Sequence, residues 1–151
     1  MDTSLLVKSF HLATRPEGAT HEEAEQASMQ FAETFYTRLF QEYPQAQTLF
    51  TQRSTDMKRQ YRMLMGTLAY VVANVGNAEK LIPAVQALGR RHVGYKVQPE
   101  HYSMVGRALI ETFQARLGSQ YTNEMRDSWV GAYALLSKTM IEAMPEGAMT
   151  M

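Results

Sequence analysis

The sequence predicts an all-α protein. Apolar residues recur at intervals of three and four along nearly the whole chain, and no segment shows the polar-apolar alternation with Val, Ile and Thr that is typical of a strand. Prolines, glycines and N-cap patterns divide the chain into six or seven helical segments. The length of 151 residues suits a single domain over residues 1–151.

Three helices are predicted in the first half of the chain. The first spans about residues 2–14 and is ended by an Arg-Pro-Glu-Gly sequence. Thr20 and Glu23 have the spacing of a capping box and predict the start of the second helix. A short segment over 44–50 follows, and the polar stretch 51–56 is predicted to be a loop.

Four further segments are predicted in the second half. A long amphipathic helix is expected over 57–75, closed by Gly-Asn, and a shorter one over 81–92. A turn at 94–97 leads to a helix over 99–117, because proline is favoured at a first helical position and glycine follows the last one. Thr122 is the predicted cap of the last helix, which continues to about Met144.

The charge balance disfavours two classes of partner. Fifteen Lys and Arg residues face fifteen Asp and Glu residues, so the formal charge is zero. Nucleic-acid and anionic-membrane binding normally require a basic surplus, and neither is expected. A secretory h-region and a run of about 20 apolar residues are both missing from the sequence. We therefore expect a cytoplasmic protein.

Any metal chemistry must use ligands other than thiolates, because the chain has no Cys. The sequence also lacks a nucleophile elbow, a phosphate-binding glycine loop and a His-Glu-x-x-His helix. Of the four histidines, His11, His21 and His101 fit helix-end or surface positions. His92 follows an apolar helix face, where a lone histidine is either a satisfied core residue or a ligand.

Several motifs carry a resemblance to a known family. They are the sequence Phe-Tyr-Thr-Arg-Leu-Phe at 35–40, Pro44, Leu49-Phe50, Gln60, Leu64, Leu88-Gly89-Arg90-Arg91-His92, Pro99-Glu100-His101-Tyr102, Val105-Gly106, Trp129 and Tyr133. In this order and spacing they resemble bacterial globins, and particularly the haem domain of flavohaemoglobins and their single-domain relatives. The resemblance covers roughly residues 29–144 and implies the three-over-three helical sandwich of the globin fold.

On the proximal side, the resemblance implies that His92 ligates the haem iron and that Tyr102 is the G-helix tyrosine. The Leu88 carbonyl, one turn before His92, is the natural acceptor for the second ring N–H. Arg90, Arg91 and Lys96 could face haem propionates, although a solvated charge run is an equal alternative. The glutamate that joins the proximal network in flavohaemoglobins is matched here by Met144, with Glu142 two residues earlier.

On the distal side, the resemblance implies that Phe50 packs on the porphyrin and that Tyr36, Gln60 and Leu64 line the ligand pocket. From its own pattern Tyr36 would be a core tyrosine, and only the register of the motifs favours the pocket. A Tyr36 hydroxyl and a Gln60 amide donating into a dry pocket would hold a diatomic ligand tightly. The 51–56 loop and the region before Met29 are longer than in close relatives.

The leading functional hypothesis is a globin that holds haem b and reversibly binds dioxygen, nitric oxide or other diatomic ligands. Oxidation of nitric oxide would require a separate reductase as partner, since the chain ends shortly after the last helix. The alternative is a haem-free globin-fold module for signalling or interaction. A third hypothesis is electron transfer through bis-ligated iron, with Gln60 or Tyr36 as the second protein ligand.

Overall fold

The protein is described by a computed structural model that covers residues 2–51, 57–94 and 99–143, without the side chains of 48–51, 91–94 and 99. Over these ranges the chain forms seven α-helices and one short 3₁₀ turn, with no strand. The helices are α1 (Thr3–Thr14), α2 (His21–Glu42), α3 (Pro44–Thr51), α4 (Met57–Ala73), α5 (Ala78–Gly94), α6 (Pro99–Leu117) and α7 (Asn123–Glu142). The predicted all-α class is confirmed.

The N-caps confirm the helix starts that were predicted at 20 and 122. The Thr20 hydroxyl accepts a bond from the Glu23 amide while the Glu23 carboxylate accepts one from the Thr20 amide, which completes the capping box. Thr122 accepts from the Met125 amide at the start of α7. Asp2 caps α1 rather than belonging to it, because its side chain accepts from backbone amides of the first turn.

The predicted bounds of α4 and α5 are wrong by a few residues. Helix α4 ends at Ala73 instead of residue 75, and consecutive turns at Asn74 and Asn77 follow it. Helix α5 begins at Ala78 instead of 81, because the Asn77 carbonyl accepts from the amides of residues 80 and 81. The sequence pattern missed this turn since residues 78–80 carry no large apolar side chain. Three predictions fall on residues outside the described ranges, namely most of the 51–56 loop, most of the 94–97 turn, and Met144. The first residues of the predicted loop and turn, 51 and 94, are instead the last residues of α3 and α5.

The helices form two layers of three. Helices α2, α6 and α7 pack side by side, and α1, α4 and α5 lie across them. A buried hydrogen bond of 2.7 Å from Trp129 Nε1 to Ser9 Oγ ties α1 to α7. In the part of the chain described, no helix is long and apolar enough to span a bilayer.

Candidate functional site

The hydrophobic core consists of two clusters, a large one to which α4 contributes and a smaller one to which α5 contributes. We call this arrangement the divided core. Helix α4 contributes Met65, Leu68 and Val72 to a large cluster shared with α1, α2, α6 and α7. Helix α5 contributes Val85 to a second, smaller cluster. Within the described ranges, α4 packs mainly on α2 and α5 mainly on α7, while α4 and α5 share almost no contact with each other. The fold therefore separates these two helices.

One flank of α4 carries two of the predicted pocket residues. Gln60 and Leu64 are one helical turn apart and thus lie above one another on the helix surface. Both are half-buried, whereas Met65 and Leu68 on the neighbouring face are buried in the large cluster. The structure thus places Gln60 and Leu64 on the same side of α4, beside its fully packed face.

Tyr36 lies on α2 in an aromatic cage. Its ring meets Phe35 edge-on at a centroid distance of 4.9 Å, lies 5.7 Å from Phe40 and stacks on Tyr61 of α4 at 5.6 Å. Only 5% of Tyr36 is exposed. Burial, reinforced by Tyr61, raises the pKa of the Tyr36 phenol far above its ordinary value. Its hydroxyl is therefore a protonated donor at every physiological pH.

The stacking of Tyr61 on Tyr36 was not predicted from the sequence. Tyr61 belongs to the apolar stripe of α4, and this spacing indicated core packing. Burial and the nearby Glu33 carboxylate raise the pKa of its phenol. Tyr61 thus presents its ring to Tyr36, while its hydroxyl is within electrostatic range of Glu33.

On the other side of the divided core, Tyr102 and Leu88 come together. Tyr102 on α6 is buried in the smaller cluster with Val85 and Met140, and Leu88 packs against that cluster. Burial raises the pKa of Tyr102 to about 12, so this hydroxyl also stays protonated. Tyr36 and Tyr102, predicted on opposite sides of a cofactor, do belong to different core clusters.

Two predicted site residues lie on described helices but have undescribed side chains. Phe50 is in α3, and His92 is in α5 one turn after Leu88. The hydrogen bond between the His92 ring and the Leu88 carbonyl remains a prediction. Three cations were predicted as candidates to face the haem propionates. Arg90 is exposed, whereas Lys96 and the side chain of Arg91 do not belong to the described part of the structure. Glu142, at the end of α7, is exposed and lies 3.9 Å from Lys138.

Two glycines allow α5 and α6 to pack closely against α7 near Tyr102. At Gly89 a Cβ atom would lie 2.5 Å from the Met140 carbonyl oxygen of α7, so only glycine allows this approach. Gly106 lies on α6 one turn after Tyr102, and a Cβ atom there would lie 2.5 Å from the Tyr133 ring of α7. Tyr133 is a second residue that was not predicted at the site. Burial, with Tyr102 nearby, raises the pKa of the Tyr133 phenol.

Substitution of Gly89 by Ala should displace α5 from α7. The added methyl group meets backbone atoms of Met140, which cannot rotate away as a side chain would. We expect a loss of unfolding free energy of about 1–3 kcal/mol, measured by urea denaturation. Gly66→Ala is the control, because nothing lies within 4 Å of its Cβ position on α4. It should stabilise the protein by about 0.5–1 kcal/mol. Equal effects of the two substitutions would contradict this packing.

Comparison with known proteins identifies the fold. A model of the globin family matches residues 33–140, which is most of the chain. The chain belongs to the globin family. Two solved structures share the globin's fold: a bacterial globin from Campylobacter jejuni (19% identity, TM-score 0.74, 93% of this chain and 92% of that one) and a hexacoordinated heme protein from a tardigrade (16%, TM-score 0.76, 93% and 91%).

Curated relatives of this globin include several flavohemoproteins. That of Xylella fastidiosa is 35% identical over 121 residues, which are 78% of this chain and 30% of the relative. That of Vibrio cholerae is 29% identical over 125 residues, or 83% and 31%. The globin spans about a third of the length of the curated relatives it matches.

Globin membership implies a haem cofactor, and the described residues fit one. A flat macrocycle needs two helices held apart with apolar side chains on both sides, and α4 and α5 meet this requirement. Leu64 and Leu88 are half-buried residues, one on each of these helices. Tyr36 is buried and stacks on Tyr61 of α4, and α5 carries His92.

Proposed function

We propose that this globin holds haem b between α4 and α5 and reversibly binds dioxygen and other diatomic ligands. The division of the core between these helices, with a caged tyrosine donor on the α4 side, carries the proposal. When bound, haem supplies the iron at which such a ligand binds. His92 is the protein ligand to that iron, and the Leu88 carbonyl orients its ring.

The distal residues set the affinity for the ligand. Tyr36 donates a hydrogen bond from a hydroxyl that is buried and held in place by three aromatic rings. Gln60 adds an amide donor from α4, and Leu64 and Phe50 keep water out. In a dry pocket such donors stabilise a ligand that carries partial negative charge, and ligand release is slow as a result.

The same pocket supports detoxification of nitric oxide. In this reaction one nitric oxide, one dioxygen and one electron give one nitrate, and an external reductase supplies the electron. The similarity to flavohemoproteins over the globin region supports this activity. Tyr36 and Gln60 would retain dioxygen in the pocket long enough for nitric oxide to reach it.

A single-turnover experiment tests the activity. The ferrous protein is equilibrated with air and mixed with one equivalent of nitric oxide in a stopped-flow cell. We expect rapid conversion to the ferric spectrum and close to one nitrate per haem, measured by ion chromatography. Nitrite as the main product, or loss of nitric oxide no faster than in aerated buffer, would exclude the dioxygenase activity while leaving ligand binding intact.

A further inference from the structure

Tyr61 connects Tyr36 to the helix that carries other predicted pocket residues. Phe35 and Phe40 contact the Tyr36 ring from α2, the helix to which Tyr36 itself belongs. Tyr61 contacts it from α4, which packs directly on α2. In the sequence Tyr61 immediately follows Gln60, and its side chain is half-buried against the large core cluster. The contact between the two tyrosines therefore couples the phenol on α2 to the position of α4.

The contact between Tyr36 and Tyr61 is a stacked one. The two ring planes are inclined by 26° and their centroids are 5.6 Å apart, so Tyr61 covers part of one face of the Tyr36 ring. Phe35 meets the same ring edge-on, at an interplanar angle of 79°. Aromatic pairs in these two arrangements are favourable beyond the apolar area that they bury. The Tyr36 ring thus has one neighbour against its face and another nearly perpendicular to it.

This arrangement restricts the side-chain conformation of Tyr36. A tyrosine within a helix has two favourable χ1 rotamers, at about 180° and about −60°, and they place the hydroxyl at different points beside the helix. Because only 5% of Tyr36 is exposed, a change of rotamer requires space that a neighbouring side chain must vacate. The ring of Tyr61 fills the space next to the face of Tyr36. A smaller side chain at position 61 would open this space.

We propose that Tyr61 is a positioning residue of the ligand pocket, and that its ring holds Tyr36 in the rotamer from which the hydroxyl donates to dioxygen. This inference rests on the proposed function, in which Tyr36 is the distal donor. A hydrogen bond weakens steeply when its donor is misaligned, and the loss is larger for a partly negative ligand such as dioxygen than for carbon monoxide, which carries little charge. Through Tyr36, Tyr61 thus increases the preference of the globin for dioxygen over carbon monoxide.

A set of variants separates the ring of Tyr61 from its hydroxyl. Tyr61→Leu removes the ring, whereas Tyr61→Phe keeps the ring and removes the hydroxyl. Tyr70→Leu is the matched control, because it deletes the same side chain from α4 at a position that is 45% exposed. Tyr36→Phe is used alone and combined with Tyr61→Leu. Release of dioxygen and of carbon monoxide is measured by stopped-flow ligand replacement, and the C–O stretch of the carbon monoxide form by infrared spectroscopy.

We expect Tyr61→Leu to accelerate dioxygen release about five- to fiftyfold, and no more than Tyr36→Phe does, because a misaligned donor loses part or all of its hydrogen bond. Carbon monoxide release should change by less than about threefold, since a neutral acceptor gains less from the donor. The C–O stretch should move towards the frequency of Tyr36→Phe, because it reports the field of the donor at the ligand.

The remaining variants should leave this effect in place or remove its cause. Tyr61→Phe and Tyr70→Leu should release dioxygen within about threefold of the wild-type rate, because both retain the ring that stacks on Tyr36. The double variant should release dioxygen at the rate of Tyr36→Phe alone, since the orientation of an absent hydroxyl has no effect. Circular dichroism establishes that each variant is folded, and Tyr61→Met takes the place of Tyr61→Leu if the latter is not.

Three results would overturn the inference. They are an unchanged dioxygen release with an unchanged C–O stretch in Tyr61→Leu, equal acceleration of dioxygen and carbon monoxide release, which indicates only a wider pocket, and equal effects of Tyr61→Leu and Tyr61→Phe, which assign the role to the Tyr61 hydroxyl. Failure of the proposed function is distinguishable from these results. It appears in the wild-type protein, as the absence of haem or of ligand-dependent spectra, and it would overturn this inference as well.

Discussion

Replacement of His92 by Ala is expected to abolish stable haem binding. His92 is the proposed protein ligand to the iron, and methyl cannot coordinate a metal. The purified variant should lose most of its Soret absorbance relative to the protein band, and added haem should wash out on gel filtration. The folded state should persist, because α5 is also held by the Val85 cluster and by the Gly89 contact with α7.

Two controls make the His92 result specific. His21→Ala changes an exposed histidine at the start of α2 and should leave haem content unchanged. His92→Gly in the presence of imidazole should regain haem, because the free ring can occupy the vacated position. An unaltered Soret band in His92→Ala, with an unaltered ferrous spectrum, would show that another residue is the proximal ligand.

Replacement of Tyr36 by Phe is expected to accelerate dioxygen release by about 10- to 100-fold. A hydrogen bond to a partially charged ligand contributes about 1.5–3 kcal/mol, and each 1.4 kcal/mol corresponds to a factor of ten. The substitution keeps the ring, and with it the contacts to Phe35, Phe40 and Tyr61. The rate is measured by mixing the oxygenated protein with excess carbon monoxide.

Tyr61→Phe is the matched control for the Tyr36 substitution. It also removes one phenolic hydroxyl from the stacked pair, but that hydroxyl is in the field of Glu33. We expect less than about a threefold change in dioxygen release, because ring packing is retained. The wild-type rate should also be constant between about pH 6 and 9, since the raised pKa keeps Tyr36 protonated throughout. An unchanged rate in Tyr36→Phe would assign the distal hydrogen bond to another group.

The helices were predictable where local chemistry determines them. Thr20 and Thr122 satisfy amides of the first turn through their own side chains, so the sequence alone located two helix starts. The start of α5 was not predictable in this way. Its first turn is set by the Asn77 carbonyl and carries no apolar side chain to reveal the buried face.

The site was less predictable than the fold, because its residues act through contacts between helices. The motif register predicted Tyr36 on the distal side and Tyr102 on the proximal side of a cofactor, and the structure buries the two residues in separate clusters. It could not indicate that Tyr61 stacks on Tyr36 or that Tyr133 fills the space above Gly106. Both residues have helical spacing that fits ordinary core packing, and only the tertiary arrangement distinguishes them.

The absorption spectrum of the purified protein tests the central claim most directly. A protein with haem b at the divided core should show a Soret band in the ferric form, one haem b per chain by the pyridine haemochrome assay, and reversible changes when the ferrous form binds dioxygen or carbon monoxide. Expression with ample haem that yields a folded, helical protein without a Soret band would contradict the claim and favour a haem-free interaction module.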